Sequence, residues 1–274
     1  MAWLQIQFLS SSLMRKTSFN VLLPADGFPG MPPRPTPYKT LYLLHGFIGT
    51  SSDWLLNSQL EDLSEMYNLA IVMPSGENSF YVDAASGTSQ FSKLIGDEIV
   101  AFTRKILPLS DKREDTFIGG LSMGGYGALY NGLKYHKTFG HIIALSSAII
   151  TATDALTASD EPNAMGLNRA YYETVFGDLT KLPSTDKNLN VLADRVLSEP
   201  HEPLDVYFAC GETDFLIEPN RAFAKHLTDT EFPHTYEEGP GAHEWAFWNT
   251  YLRRGLERAL PPPPSFGGPF AMPK

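Results

Sequence analysis

Gly120-Leu121-Ser122-Met123-Gly124-Gly125-Tyr126-Gly127 constrains the fold of this chain more than any other stretch: it is a G-x-S-x-G followed closely by two further glycines. A serine hydroxyl is a poor nucleophile, so a protein that uses one must lift it clear of the fold, set a base beside it and stabilise an oxyanion. A sharp strand-to-helix turn lifts the hydroxyl, and it leaves almost no room for a Cβ two residues before or after the serine. Both of those positions are glycine, Gly120 and Gly124. The pentapeptide alone is weak, because a Gly-rich turn that only packs a helix close to a sheet has the same letters. Its flanks agree with the stronger reading: Thr116-Phe117-Ile118 reads as a short buried strand, and Tyr126 to Tyr135 carries apolar residues at Tyr126, Leu129, Tyr130 and Leu133.

The rest of the chain alternates in the same way. Strands are expected at Trp3 to Leu9 and Thr17 to Leu23, forming an antiparallel hairpin over a serine-rich turn. Pro24 to Lys39, with six prolines and two glycines, reads as a surface connection. Strands follow at Thr40 to Leu44, Leu69 to Met73, Ile142 to Leu145, Leu204 to Ala209 and near Thr235 to Glu237. Helices are expected at Trp54 to Met66, Gln90 to Leu107, Glu218 to Leu227 and Glu244 to Leu260; in the second of these Phe91, Leu94, Ile95, Ile99, Phe102 and Ile106 recur at helical spacing. The pattern predicts an α/β fold, a doubly wound, mostly parallel sheet with an N-terminal antiparallel hairpin and ligands at the carboxyl ends of its strands. We expect one domain over 1–260. The segment 148–203, with helical stretches at Asn168 to Phe176 and Leu189 to Leu197, reads as an insertion over the site, and 261–274 as a Pro/Gly-rich tail.

Composition narrows the partners. At 274 residues and 43% hydrophobic, the chain can bury a sizeable core. Its 21 basic and 31 acidic residues give a net charge of −10, which argues against nucleic acid or an anionic membrane as a partner. The single cysteine, Cys210, rules out an internal disulfide and suits a reducing cytoplasm; it reads as a small buried core residue rather than a thiol nucleophile. No secretory signal and no membrane-length apolar run is evident. A homo-oligomer is left open.

Seven histidines compete for the base. His243 stands in the turn Gly239-Pro240-Gly241-Ala242-His243 between the last strand and the last helix, where a sheet-end loop presents an imidazole. His136, His141, His201, His226 and His234 have no such turn. His243-Glu244 begins like a zinc-binding H-E-x-x-H, but position 247 is Phe, so no metal is expected. Asp214 follows the strand Leu204 to Ala209 and is the expected acid, with Glu212 as runner-up; Asp205 lies at the other end of that strand. The order Ser122, Asp214, His243 is the one used by α/β-hydrolases. One oxyanion donor is expected from the Met123 N–H, and the other from the Phe47 N–H in the turn His45-Gly46-Phe47-Ile48-Gly49, which His45 would brace. Among aromatics near the sheet end, Trp54 and Trp245 are the substrate-contact candidates, Trp54 first because it follows the oxyanion turn; packing is the competing explanation for both, as for Trp248 and Tyr81.

Leu44-His45-Gly46-Phe47, Gly120 to Ala128, Gly211-Glu212-Thr213-Asp214 and Gly241-Ala242-His243-Glu244-Trp245 together resemble the esterase D branch of the α/β-hydrolases, in particular bacterial tributyrin-esterase-like carboxylesterases. The resemblance implies a cytoplasmic serine esterase acting without cofactor or metal on small-molecule short acyl or acetyl esters, sometimes aromatic acid esters. It also implies that Ser122, Asp214 and His243 form the triad and Phe47 and Met123 the oxyanion hole. S-formylglutathione hydrolases usually carry His where this chain has Tyr126 and differ in the His45-Gly46-Phe47 turn, which points away from glutathione thioesters. The rivals are an acyltransferase with the same triad, a serine peptidase, for whose gating domain the chain has no room, and a non-catalytic binding module.

Overall fold

The computed structural model describes residues 1–26, 34–85, 87–150, 157–163 and 165–261. Residues 262–274 of the tail and 27–33 of the Pro-rich connection lie outside the described residues. The described chain contains β1 (Ala2–Ser10), β2 (Arg15–Leu23), β3 (Lys39–Leu44), β4 (Leu69–Pro74), β5 (Thr116–Leu121), β6 (His141–Leu145), β7 (Asp205–Gly211) and β8 (Thr235–Gly239). They form one sheet in the order β1-β2-β4-β3-β5-β6-β7-β8. The hairpin β1–β2 and the β2–β4 pair are antiparallel, and the other neighbours are parallel.

Parallel strands buried on both faces need apolar residues at every position, and β4 and β5 are buried throughout. Successive residues of β3 feed opposite layers. Tyr42 and Leu44 join a core with Ile95, Ile99, Leu129, Leu192 and Phe223. Leu41 and Leu43 face Trp54, Leu63, Trp248 and Leu252 on the other side. The first layer is covered by α3 (Phe91–Lys93) and α4 (Ile99–Ile106), α5 (Met123–Lys134), α7 (Leu189–Ser198) and α8 (Ile217–Asp229); the second by α1 (Asp53–Asn57), α2 (Leu60–Tyr67) and α9 (Trp245–Ala259). Between them in sequence, α6 (Arg169–Phe176) begins at Asn168, whose side chain accepts the Tyr171 N–H. Among the described residues no helix is long and apolar enough to cross a membrane.

Two expected helices differ in detail. The run Trp54 to Met66 is broken in two because Ser58 turns extended and its hydroxyl bonds back to the Trp54 carbonyl, ending α1. The long helix from Gln90 contains a π turn, Leu94–Glu98, between α3 and α4. The extra residue shifts the apolar stripe: Ile95 and Ile99 stay buried, Thr103 takes the inward position, and Ile106, expected on the buried face, is 45% exposed.

After β3 the chain crosses to β4 on one side and returns to place β5 on the other. The carboxyl ends of β3 and β5 therefore flank the point where strand order reverses, where such sheets bind ligands.

Candidate active site

Ser122 sits between β5 and α5 with φ 56° and ψ −119°, a backbone that L-residues rarely adopt. The neighbours explain how the turn closes. A Cβ on Gly120 would overlap the Gly124 carbonyl, and one on Gly124 would run into the carbonyls of Leu44 and His45. Hydrogen bonds pin the serine from three directions: its N–H donates to Leu145 at 2.9 Å, and its carbonyl accepts the N–H groups of Tyr126 at 3.0 Å and Ala148 at 2.9 Å.

The Ser122 hydroxyl meets His243 Nε2 at 3.0 Å. His243 Nδ1 lies 2.9 Å from Asp214 Oδ2 and 3.2 Å from Oδ1. The contacts fit the tautomer that donates from Nδ1 to the carboxylate and leaves Nε2 to accept from the serine. The loops bearing Asp214 and His243 are tied together: the Glu212 N–H donates to Gly239, and the Thr213 N–H and hydroxyl both donate to the Gly241 carbonyl, at 3.1 and 2.9 Å. Gly241 has φ 139°, which only glycine adopts readily.

Asp214 is 2% exposed. Burial would raise its pKa, but hydrogen bonds from His243, the Leu216 N–H and the Ser146 hydroxyl outweigh burial and hold it below the ordinary carboxylate range. Ser146 was not among the sequence candidates. It follows β6, is fully buried with φ 44°, and accepts the Trp248 indole N–H at 3.0 Å. Its only signal in the sequence is its place at a strand's carboxyl end. Glu212, the runner-up acid, is exposed, and Asp205 pairs with His141 at the amino ends of β6 and β7.

Phe47 and Met123 both line a cavity of about 800 Å³ with Ser122 and His243. Met123 is the first residue of α5, and the opening N–H groups of a helix have no partner within it. His45 is buried in the turn behind them, its Nδ1 donating to the Gly46 carbonyl at 2.8 Å and its Nε2 accepting the Gly76 N–H at 2.9 Å. Burial lowers its pKa, so it stays neutral.

Of the two tryptophans proposed for substrate contact, Trp245 lines the cavity and Trp54 does not. Trp54 stands one layer behind, 1% exposed, its indole N–H donating to the Leu44 carbonyl at 3.0 Å and its ring edge-on to Trp245 at 5.1 Å. Tyr81 is likewise buried, its hydroxyl bonded to the His45 carbonyl. Being next to the oxyanion turn in sequence placed Trp54 under that turn rather than in front of it. Residues of the 148–203 segment, among them Ile149, Leu167 and Tyr172, do line the cavity.

A mostly parallel eight-stranded sheet with a serine at a strand–helix elbow defines an α/β-hydrolase, and the similarities that follow make the protein a serine ester hydrolase. A family model described as "Putative esterase" matches residues 10–259, and the chain belongs to this Esterase family. An acetyl esterase of Caldicellulosiruptor saccharolyticus is 44% identical over 260 residues, 94% of this chain and 97% of that one. Among solved structures, the fluorophosphonate-binding serine hydrolase FphF of Staphylococcus aureus is similar at TM-score 0.81 and 28% identity, covering 94% of this chain and 98% of its own. The S-formylglutathione hydrolase FrmB of the same organism is similar at TM-score 0.80 and 27% identity with the same coverage.

Proposed function

We propose that the protein hydrolyses short-chain acyl esters of small molecules, acetyl esters foremost, through an acyl-enzyme on Ser122. The reading is carried by the unbroken line of contacts from the Ser122 hydroxyl through His243 to Asp214, opening on one cavity. His243 takes the hydroxyl proton as Ser122 attacks the ester carbonyl, and the oxyanion accepts the N–H groups of Phe47 and Met123. The tetrahedral intermediate collapses, the C–O bond breaks, and His243 returns the proton to the departing alcohol. Water, activated by the same imidazole, then attacks the acyl-serine, releases the acid and restores the serine. Asp214, kept ionised by its donors, holds the ring and stabilises its charged form.

The 44% identical acetyl esterase supports an acetyl group as the acyl part. A glutathione thioester is disfavoured by charge: the acidic residues among the described wall residues are Asp53 and Glu161, no Lys or Arg stands among them, and the two repel the carboxylates of glutathione. The lone buried Cys210 fits the reducing cytoplasm. Ser122→Ala is expected to cut p-nitrophenyl acetate hydrolysis to below about 10⁻⁴ of the parent rate while the protein stays folded. Retained turnover sinks the reading. An ester panel graded by acyl length, with added alcohols as competing acceptors, separates hydrolysis from acyl transfer.

A further inference from the structure

The turn that carries the Phe47 N–H sits in a conformation that its own residues resist. Ile48 has φ 58°, a left-handed backbone that β-branched side chains disfavour. Its side chain is 80% exposed, so packing does not hold it there. Strain of this kind persists only where neighbouring structure imposes it.

The loop after β4 imposes it. The Gly76 N–H donates to His45 Nε2 at 2.9 Å, and the Tyr81 hydroxyl donates to the His45 carbonyl at 2.9 Å. At the tip between them, Asn78 Oδ1 accepts the Ile48 N–H at 2.8 Å. This loop is itself wound into left-handed backbone at Glu77, Phe80 and Tyr81. It is held from the far side, where Asn131 donates to the Tyr81 carbonyl at 3.1 Å and the Tyr171 hydroxyl of α6 donates to the Asn78 carbonyl at 2.7 Å. The Tyr171 ring also meets Phe47 edge-on, with centroids 5.8 Å apart at 84°. Asn78 thus fixes the Phe47–Ile48 peptide, Tyr81 fixes His45, and Tyr171 pins the Phe47 ring. The Gly46–Phe47 peptide between these anchors has little freedom to turn its N–H away.

We infer that Asn78 is a positioning residue for ester hydrolysis, setting the direction of the Phe47 N–H through Ile48, with Tyr171 as its support. The inference rests on the proposed function, in which that N–H receives the oxyanion. Asn78 touches no reacting atom. Its effect is confined to the state in which the oxyanion exists, so it belongs to kcat rather than KM.

The test is Asn78→Ala in the full chain, with kcat and KM measured on p-nitrophenyl acetate and the same change repeated on Ile48→Gly. One ordinary hydrogen bond corresponds to a loss of about tenfold in kcat, with KM within about twofold. Glycine at 48 carries no left-handed penalty, so there the loss of Asn78 is expected to cost about threefold or less, a non-additive cycle. Tyr171→Phe, which keeps the ring on Phe47 but frees the Asn78 carbonyl, is expected to lower kcat about threefold; it decides the matter should Asn78→Ala not fold. An unchanged kcat in the folded variant, or an equal loss in both backgrounds with a raised KM, overturns the inference. Ser122→Ala in the same assay keeps the two readings apart. If it is inactive while Asn78→Ala is unaffected, only the positioning role fails, whereas an active Ser122→Ala removes the proposed function itself.

Discussion

The Trp248 indole N–H donates to the Ser146 hydroxyl at 3.0 Å, and that hydroxyl in turn supports the Asp214 carboxylate. Trp248 also stands edge-on to the His243 ring, with centroids 4.9 Å apart. One side chain of α9 therefore steadies both the imidazole and, through Ser146, the acid that orients it. Ser146→Ala removes a donor from a buried carboxylate, which is expected to cost about 2 kcal/mol, or roughly thirtyfold in kcat/KM. Because this donor helps lower the Asp214 pKa, its loss lets the carboxylate protonate at higher pH, and the acid limb of the activity profile moves toward neutrality. Trp248→Phe, which keeps a ring on His243 but not the N–H, is expected to lose about fivefold. Steady-state kinetics across pH check both, and a Ser146→Ala enzyme within twofold of the parent rules the relay out.

The closeness of the elbow to β3 makes a second expectation sharp. A Cβ on Gly124 would stand 2.6 Å from the His45 carbonyl oxygen and closer still to that of Leu44, and backbone at the end of a buried strand cannot yield. Gly124→Ala is expected to destabilise the protein by about 3 kcal/mol or more. Gly87→Ala is the control: a Cβ there meets nothing within 4 Å, and a change within about 0.5 kcal/mol is expected. Chemical denaturation of both variants measures the difference; equal stability of the two contradicts the packing at the elbow.

Much of this was legible because each feature is enforced locally. Gly120, Ser122 and Gly124 announce the elbow by size alone, Gly241 announces the His243 turn by its backbone freedom, and the apolar runs of β4 and β5 announce a sheet covered on both faces. Strand order was not legible, since β3 and β5 pair across a long crossover that no local pattern records. Nor was the π turn, because the run Phe91, Leu94, Ile95, Ile99, Phe102 and Ile106 fits an unbroken helix equally well, and only burial shows Thr103 turned inward in place of Ile106. Ser146 and Asn78 act through partners 68 and 30 residues away, Asp214 and Ile48, and a polar residue in a loop carries no sign of such a partner. Trp54 shows the opposite failure: nearness in sequence to the oxyanion turn suggested contact with substrate, while the turn of α1 directs its ring beneath that of Trp245.

Cys210 tests whether the site can be mistaken for a thiol enzyme. Burial, then the Asp214 charge, push its thiol up to about 12, so below that pH it is protonated and unreactive. Iodoacetamide at pH 8 is expected to leave the folded enzyme unlabelled and fully active, and to label one thiol per chain once guanidinium unfolds it. Mass spectrometry reads the outcome. Stoichiometric alkylation of the native enzyme with loss of turnover would return Cys210 to consideration.

Glu98 gives stability a pH dependence of its own. It ends the π turn, and its carboxylate accepts the hydroxyls of Ser10 and Ser11 and the N–H groups of Ser11 and Ser12, between 2.6 and 3.1 Å. The helix thereby holds the tip of the β1–β2 hairpin. Burial would raise its pKa, but these donors outweigh burial and bring it from 4.5 down to about 2. A depressed folded pKa means that the contribution is present above the unfolded value and is lost as pH falls from about 4.5 through about 2. The carboxylate is partly open to water, so screening reduces the contribution to about 1 kcal/mol. Glu98→Gln, which keeps the shape and one acceptor, is expected to be less stable than the parent by about that amount at pH 7, and the gap is expected to close toward pH 2.5. Urea unfolding of both proteins across this range measures it. A gap that is constant with pH would mean that Glu98 holds the hairpin by shape alone, and a gap that widens in acid would reverse the sign of the linkage.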